Sequence, residues 1–162
     1  MKFSSPSGAL AASALLALTT ACTPGASAPS GGAAALLPAG AMVATIDVNL
    51  TLDPSGSTPA GPAGGYRPLA AGVARGTYVQ FQNSDGFPHT ATSIAGTAYP
   101  TTYPFSSAAL GASGSTLSGG FSSGSLAPGT TSAPLLADVA GRYIYGCFYH
   151  YGTPMRAEID VR

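Results

Sequence analysis

The chain has 162 residues with six basic and six acidic side chains, so only 7% of it is charged. A soluble domain is ordinarily about a quarter charged, and such neutrality without a basic stripe argues against nucleic acid as a partner. Thirty of its apolar residues are alanine, leaving larger side chains for one modest core, and two cysteines with two histidines exclude disulfide frameworks and multi-zinc modules.

No charged side chain occurs from Phe3 to Ile46. Lys2 followed by the apolar run Ala9–Leu18 has the layout of a secretory signal, and about a dozen residues is too short to span a bilayer. The run ends Leu18-Thr19-Thr20-Ala21-Cys22, which resembles the lipobox of bacterial lipoproteins. That resemblance implies a signal over residues 1–21, lipidation of Cys22 and a chain anchored to the cell envelope, on its periplasmic or extracellular face. Ordinary cleavage after Ala28, giving a soluble exported protein, is the alternative. Residues 22–40 are small and rich in Gly and Pro. They bury too little to repay ordering and read as a flexible linker of roughly 20–25 Å reach.

From residue 41 to 162 the pattern is period two. Met42, Ala44, Ile46, Val48 and Leu50 share one face, and Met155, Ala157, Ile159 and Val161 alternate with Arg156, Glu158, Asp160 and Arg162. Thr77–Asn83, Thr90–Ile94, Thr130–Leu136 and Arg142–Gly146 are further strand candidates, separated by Gly and Pro turns. Short strands of this kind predict an all-β, two-sheet sandwich, with Met42 in its core. Residues 96–124 are low in complexity and read mostly as a surface loop with one weak strand.

Chemistry concentrates in Cys147-Phe148-Tyr149-His150-Tyr151-Gly152-Thr153-Pro154-Met155, between two expected strands. A thiolate, an imidazole and a thioether on one loop form a soft donor set that suits copper. His89, just past a strand end, is the remaining histidine and would complete a His₂Cys plane with a long axial Met. Taken singly, each has a plain reading: an inert buried thiol, a satisfied polar ring, a core methionine.

The domain from Ala41 to Arg162 resembles the cupredoxins, within them the plastocyanin and pseudoazurin group. The resemblance is carried by Tyr66-Arg67-Pro68, by Val79-x-Phe81-x-Asn83-x-Asp85 leading to Pro88-His89-Thr90, and by Phe121-Ser122-Ser123-Gly124-Ser125-Leu126-x-Pro128-Gly129-Thr130. Gly141-x-Tyr143-x-Tyr145-x-Cys147-x-x-His150 and Met155-x-Ala157-x-Ile159-x-Val161 complete it. It implies a cupredoxin-like Greek-key β-sandwich of about seven to eight strands. It also implies one type 1 (blue) copper ion bound by His89, Cys147, His150 and Met155, and a tyrosine-corner role for Tyr143. The sequence departs from that group at Gly146, where plastocyanins carry an aromatic residue, and at Thr90, where many relatives have Asn. Tyr149, Tyr151 and Pro154 are departures too.

The function so implied is one-electron carriage between redox protein partners, by a monomer that meets the membrane only through its lipid. His150 would be the exit, inside an apolar docking patch of Phe87, Pro88, Tyr149 and Tyr151. The same aromatics could instead simply keep water from the metal. An enzyme of the multicopper kind would need histidines the chain lacks. Copper handling, as a chaperone or store, is the alternative function, although such proteins tend to expose Met- or His-rich tracts.

Overall fold

The computed structural model describes residues 37–162; the expected signal, the expected lipidation site Cys22 and most of the expected linker lie outside the described residues. The first sheet is built from β1 (Val43–Val48), β4 (Tyr66–Arg67), β6 (Tyr78–Asn83) and β10 (Leu135–Leu136), in the order β10-β6-β1-β4. The second contains β5 (Ala70–Val73), β7 (Thr92–Ile94), β8 (Ala112–Ser113), β9 (Ser122–Ser123), β11 (Gly141–Gly146) and β12 (Arg156–Val161), in the order β5-β12-β11-β7-β9-β8. β2 (Gly56–Thr58) and β3 (Gly61–Ala63) pair with each other as a separate two-stranded hairpin. Successive strands repeatedly change sheet, and β1 with β6 and β5 with β12 run parallel. The all-β sandwich expected from the alternation is therefore present, with its strands cut into shorter pieces by Gly and Pro.

Period two explains the core. Ile46 and Val48 of β1 and Val79 and Phe81 of β6 meet Tyr145 of β11 and Ala157, Ile159 and Val161 of β12. Aromatic rings fill its centre: Phe81 lies 5.2 Å edge-on to Tyr145, and Tyr66 lies 4.9 Å edge-on to the same ring. A second cluster (Ala60, Ala63, Ile94, Tyr99, Ile144 and Tyr151) packs on the outer face of the second sheet. Strands β11 and β12 are consequently covered on both faces. This is why Glu158, expected on the polar side of its strand, is buried, with one carboxylate oxygen 3.6 Å from Arg142 Nε.

Three other expectations are corrected. Met42 is 71% exposed rather than in the core; the β1 ladder begins at the Val43–Tyr78 pair, so alternation carried one residue further runs off the end of the sheet. Only Leu135–Leu136 of the Thr130–Leu136 candidate forms a strand, preceded by an isolated bridge at Thr131. Residues 96–124 are more than a surface loop. They contain a 3₁₀ turn at Ser107–Leu110, both β8 and β9, and the buried side chains Tyr99, Ala109, Leu117 and Phe121. Spaced widely among Ser and Gly, these anchors make no periodic signal.

The Tyr143 hydroxyl donates to the Val139 carbonyl four residues back, at 2.8 Å, the bond of a tyrosine corner. Tyr66 makes a deeper counterpart, donating to Thr90 O at 2.5 Å inside the core. Tyr66→Phe strands a buried carbonyl and should cost about 1–3 kcal/mol. Tyr143→Phe leaves a carbonyl that water can reach and should cost about 1 kcal/mol or less. Denaturant unfolding of both variants checks the ranking; an equal or larger loss for Tyr143→Phe would overturn it.

Candidate metal centre

Strand register sets the site. β7 and β11 pair antiparallel with Gly146 opposite Thr92, Tyr145 opposite Ser93 and Ile144 opposite Ile94. Continued past the ladder, that register lays the segment after β11 against the segment before β7, Cys147 and Phe148 beside Ala91 and Thr90. The Phe148 N–H donates to Thr90 Oγ1 at 2.8 Å, and the Thr90 N–H points at Cys147 Sγ at 3.4 Å. The sulfur thus receives the backbone N–H of Thr90, while the threonine hydroxyl ties the loop carrying Cys147 and His150 to the strand.

His89 lies between β6 and β7, where the chain crosses from one sheet to the other. Its backbone is held from both sides by Leu126: His89 N–H donates to Leu126 O at 3.2 Å, and Leu126 N–H donates back to His89 O at 2.8 Å. Cys147 and His150 sit on the connection from β11 to β12. There the Met155 N–H donates to His150 O at 3.2 Å and the Cys147 N–H donates to Met155 O at 3.0 Å. These bonds close the loop on itself, so the four sequence-selected residues come from two short segments at one end of the sandwich.

Three of their donor atoms converge. His89 Nδ1 is 3.7 Å and His150 Nδ1 3.8 Å from Cys147 Sγ, and the two nitrogens are 3.2 Å apart. A circle through the three atoms has a radius of about 2.1 Å, against metal bond lengths of about 2.0–2.3 Å for imidazole nitrogen and thiolate sulfur. One metal ion fits at its centre. Burial makes the same point: His89 and Cys147 are fully buried and His150 is partly buried. Met155 is also fully buried.

Burial raises the Cys147 thiol above its ordinary range, opposed by the backbone N–H groups of Thr90, Tyr149 and His150. Burial, and then the neighbouring His89, lower His150, which keeps its ring neutral and ready to ligate. A thiolate so deeply buried would require a cation beside it, and ligation by a soft metal would supply one. The donor set of one thiolate and two imidazoles fits copper.

The docking residues divide. Phe87 and Pro88 are exposed, and Tyr149 is 44% exposed with its hydroxyl 2.9 Å from Ser125 Oγ. Tyr151 is corrected: it is 3% exposed and lies in the outer cluster. Its hydroxyl donates to Pro100 O at 2.7 Å, and the Arg156 guanidinium lies 4.0 Å over its ring. The cause is Gly146, where an added Cβ would come within 3.0 Å of the Tyr151 ring. Tyr151 fills the space an aromatic side chain at position 146 would occupy. Tyr103 takes its place at the surface, half-exposed, with its hydroxyl donating to Phe148 O at 2.6 Å.

Asp85 went unassigned in the sequence, although it stands four residues before His89. Its Oδ2 lies 2.9 Å from His89 Nε2, the ring atom turned away from the three-donor centre. The bare spacing could not distinguish this partner from a surface carboxylate.

No protein-family model and no curated protein sequence matches the chain. Among solved structures it is similar to a purple cupredoxin from Nitrosopumilus maritimus, at 21% identity and a TM-score of 0.44 over 74% of this chain and 99% of that one. It is similar to a reduced amicyanin variant at 20% identity and a TM-score of 0.46, over 80% of this chain and 90% of that one. An oxidised plastocyanin from Dryopteris crassirhizoma gives 15% and 0.44, over 74% of this chain and all of that one. What characterises the site is its own donor geometry rather than these distant likenesses. The described domain is an all-β sandwich, similar to cupredoxins of known structure, with a His89–Cys147–His150 cluster that fits one copper ion.

Proposed function

We propose that this chain is a one-electron carrier holding a single type 1 copper ion with His89, Cys147, His150 and Met155. The observation that carries the reading is the triangle of two imidazole nitrogens and one thiol sulfur, sized for one metal ion, with His89 and Cys147 fully buried. Copper held by these residues would supply a Cu(I)/Cu(II) couple, able to accept one electron from a donor and pass it to an acceptor. The protein's part is to hold the donors still while this happens. Paired backbone bonds fix His89 to Leu126, the Thr90 hydroxyl fixes the ligand loop, and the Cys147–Met155 and Met155–His150 bonds fix the loop's ends. Such constraint suits electron transfer, which gains from a donor set that changes little between oxidation states. It does not suit copper handling, where ligands must open to release the ion.

Loaded with Cu(II), the mature chain should show an intense blue absorption that bleaches reversibly with one electron per copper. Cys147→Ser should abolish it. A colourless complex, or colour surviving that substitution, would overturn the proposal.

Met155 as the axial ligand is supported by its complete burial and by the glycine backing it. Gly65 has φ +74°, and a Cβ built on it would overlap the Met155 side chain. Gly65→Ala should therefore displace the thioether, shifting the visible spectrum and the potential, and should lower stability by about 1–3 kcal/mol. An unchanged spectrum in the folded variant would remove Met155 from the ligand set.

Electrons would leave through His150, the partly buried ligand, into a partner docked on the apolar rim of Phe87, Pro88, Tyr149 and Tyr103. Tyr149→Lys should slow association with a natural redox partner while leaving the blue spectrum intact. In the parent, association should depend only weakly on salt, because charged side chains are few. A steep decline with added salt would exclude an apolar docking face.

A further inference from the structure

Resting on the copper reading above, we infer that Asp85 is a positioning residue for the buried ligand His89 and lowers the reduction potential of the site. The His89 side chain is fully buried and Asp85 keeps 13% of its side-chain surface exposed. Between them runs a 2.9 Å contact from His89 Nε2 to Asp85 Oδ2. With Nδ1 committed to the metal, Nε2 must carry the ring proton and donate it to this carboxylate. The ring can then neither rotate nor change tautomer without breaking a charge-assisted bond.

The carboxylate is itself held in place. Its Oδ2 also accepts the Leu50 N–H at 2.9 Å, and its Oδ1 accepts the Gly86 N–H at 2.6 Å. The Asp85 N–H donates to Asn83 Oδ1 at 2.9 Å. Asn83, fully buried at the end of β6, uses its Nδ2 to donate to Phe87 O at 2.8 Å and Leu126 O at 2.9 Å. The turn from Asn83 to His89 is thus fastened at both ends, and Leu126 also holds the His89 backbone. Asp85 cannot easily swing out to solvent.

The electrostatic consequence follows from charge. A thiolate and two neutral imidazoles leave the site +1 when oxidised and neutral when reduced. A fixed carboxylate one ring away makes those totals 0 and −1. A negative charge favours the more positive oxidation state, and an imidazole donating to a carboxylate is a stronger nitrogen donor toward Cu(II). Both effects favour the oxidised form.

Asp85→Asn preserves the shape and an acceptor oxygen for Leu50 while removing the charge. Redox titration of copper-loaded parent and variant should show the variant's Cu(I)/Cu(II) ratio raised about tenfold at a given ambient potential. For a one-electron couple that is a rise of about 59 mV. An unchanged or lowered potential in a folded, blue variant would overturn the inference. If the parent itself is not blue, the copper reading fails first, so the two failures are distinguishable. A second measurement needs no variant: in the diamagnetic Cu(I) form of the parent, the His89 Nε2–H proton should resonate well downfield of an ordinary imidazole N–H. A resonance at the ordinary position would likewise overturn the inference, whatever the fate of the variant.

Discussion

The site depends on what Thr90 does with three of its atoms. Its N–H points at the Cys147 sulfur, its hydroxyl accepts the Phe148 N–H, and its carbonyl accepts the Tyr66 hydroxyl from the opposite sheet. One buried residue therefore joins the first sheet, the strand following one imidazole and the loop carrying the thiol and the other imidazole. Loss of the Tyr66 bond would leave the buried Thr90 carbonyl without its partner, which costs more than the bond contributes. Two sequence segments about sixty residues apart are held in register by these short links and by the β7–β11 ladder.

Electrostatics makes the arrangement purposeful. Burial alone would keep the Cys147 sulfur protonated and the His150 ring neutral. A neutral ring is the state a metal requires, whereas a protonated thiol is the opposite of what it requires. A cation held by these donors would take the place of the thiol proton and resolve that conflict, and the backbone N–H groups around sulfur would stabilise the resulting thiolate. The protein contributes little charge of its own at the centre beyond Asp85, so each fixed carboxylate counts for more than it would in a highly charged chain.

Legibility in the sequence followed the physics. The alternating strands β1, β6, β11 and β12 were readable because each has one face in the main core, and the meeting of His89, Cys147 and His150 was readable because metal chemistry restricts the donor types. What escaped were contacts that leave no periodic trace. The widely spaced anchors Tyr99, Leu117 and Phe121 pin a Ser- and Gly-rich segment without any repeat. Burial of Glu158 depends on a layer supplied by residues far away in the chain. Asp85 and Thr90 were visible as letters, but their roles arise from how the turn folds around His89. Tyr151 shows the reverse error: proximity to a ligand in sequence suggested a surface role, and the bare backbone at Gly146 drew its ring inward.

That exchange between Tyr151 and Gly146 bears on modularity. Were the ligand loop bonded only to itself, it could pass between related scaffolds as a cassette bounded by two strands. Here its fifth residue fills a hole in the preceding strand, donates to the carbonyl of Pro100 and lies beneath the guanidinium of Arg156. The smallest transferable unit is therefore discontinuous in sequence. It includes the glycine at the end of β11, the arginine at the start of β12 and the segment around Pro100, so this loop and the covering of the outer sheet are constrained to vary together.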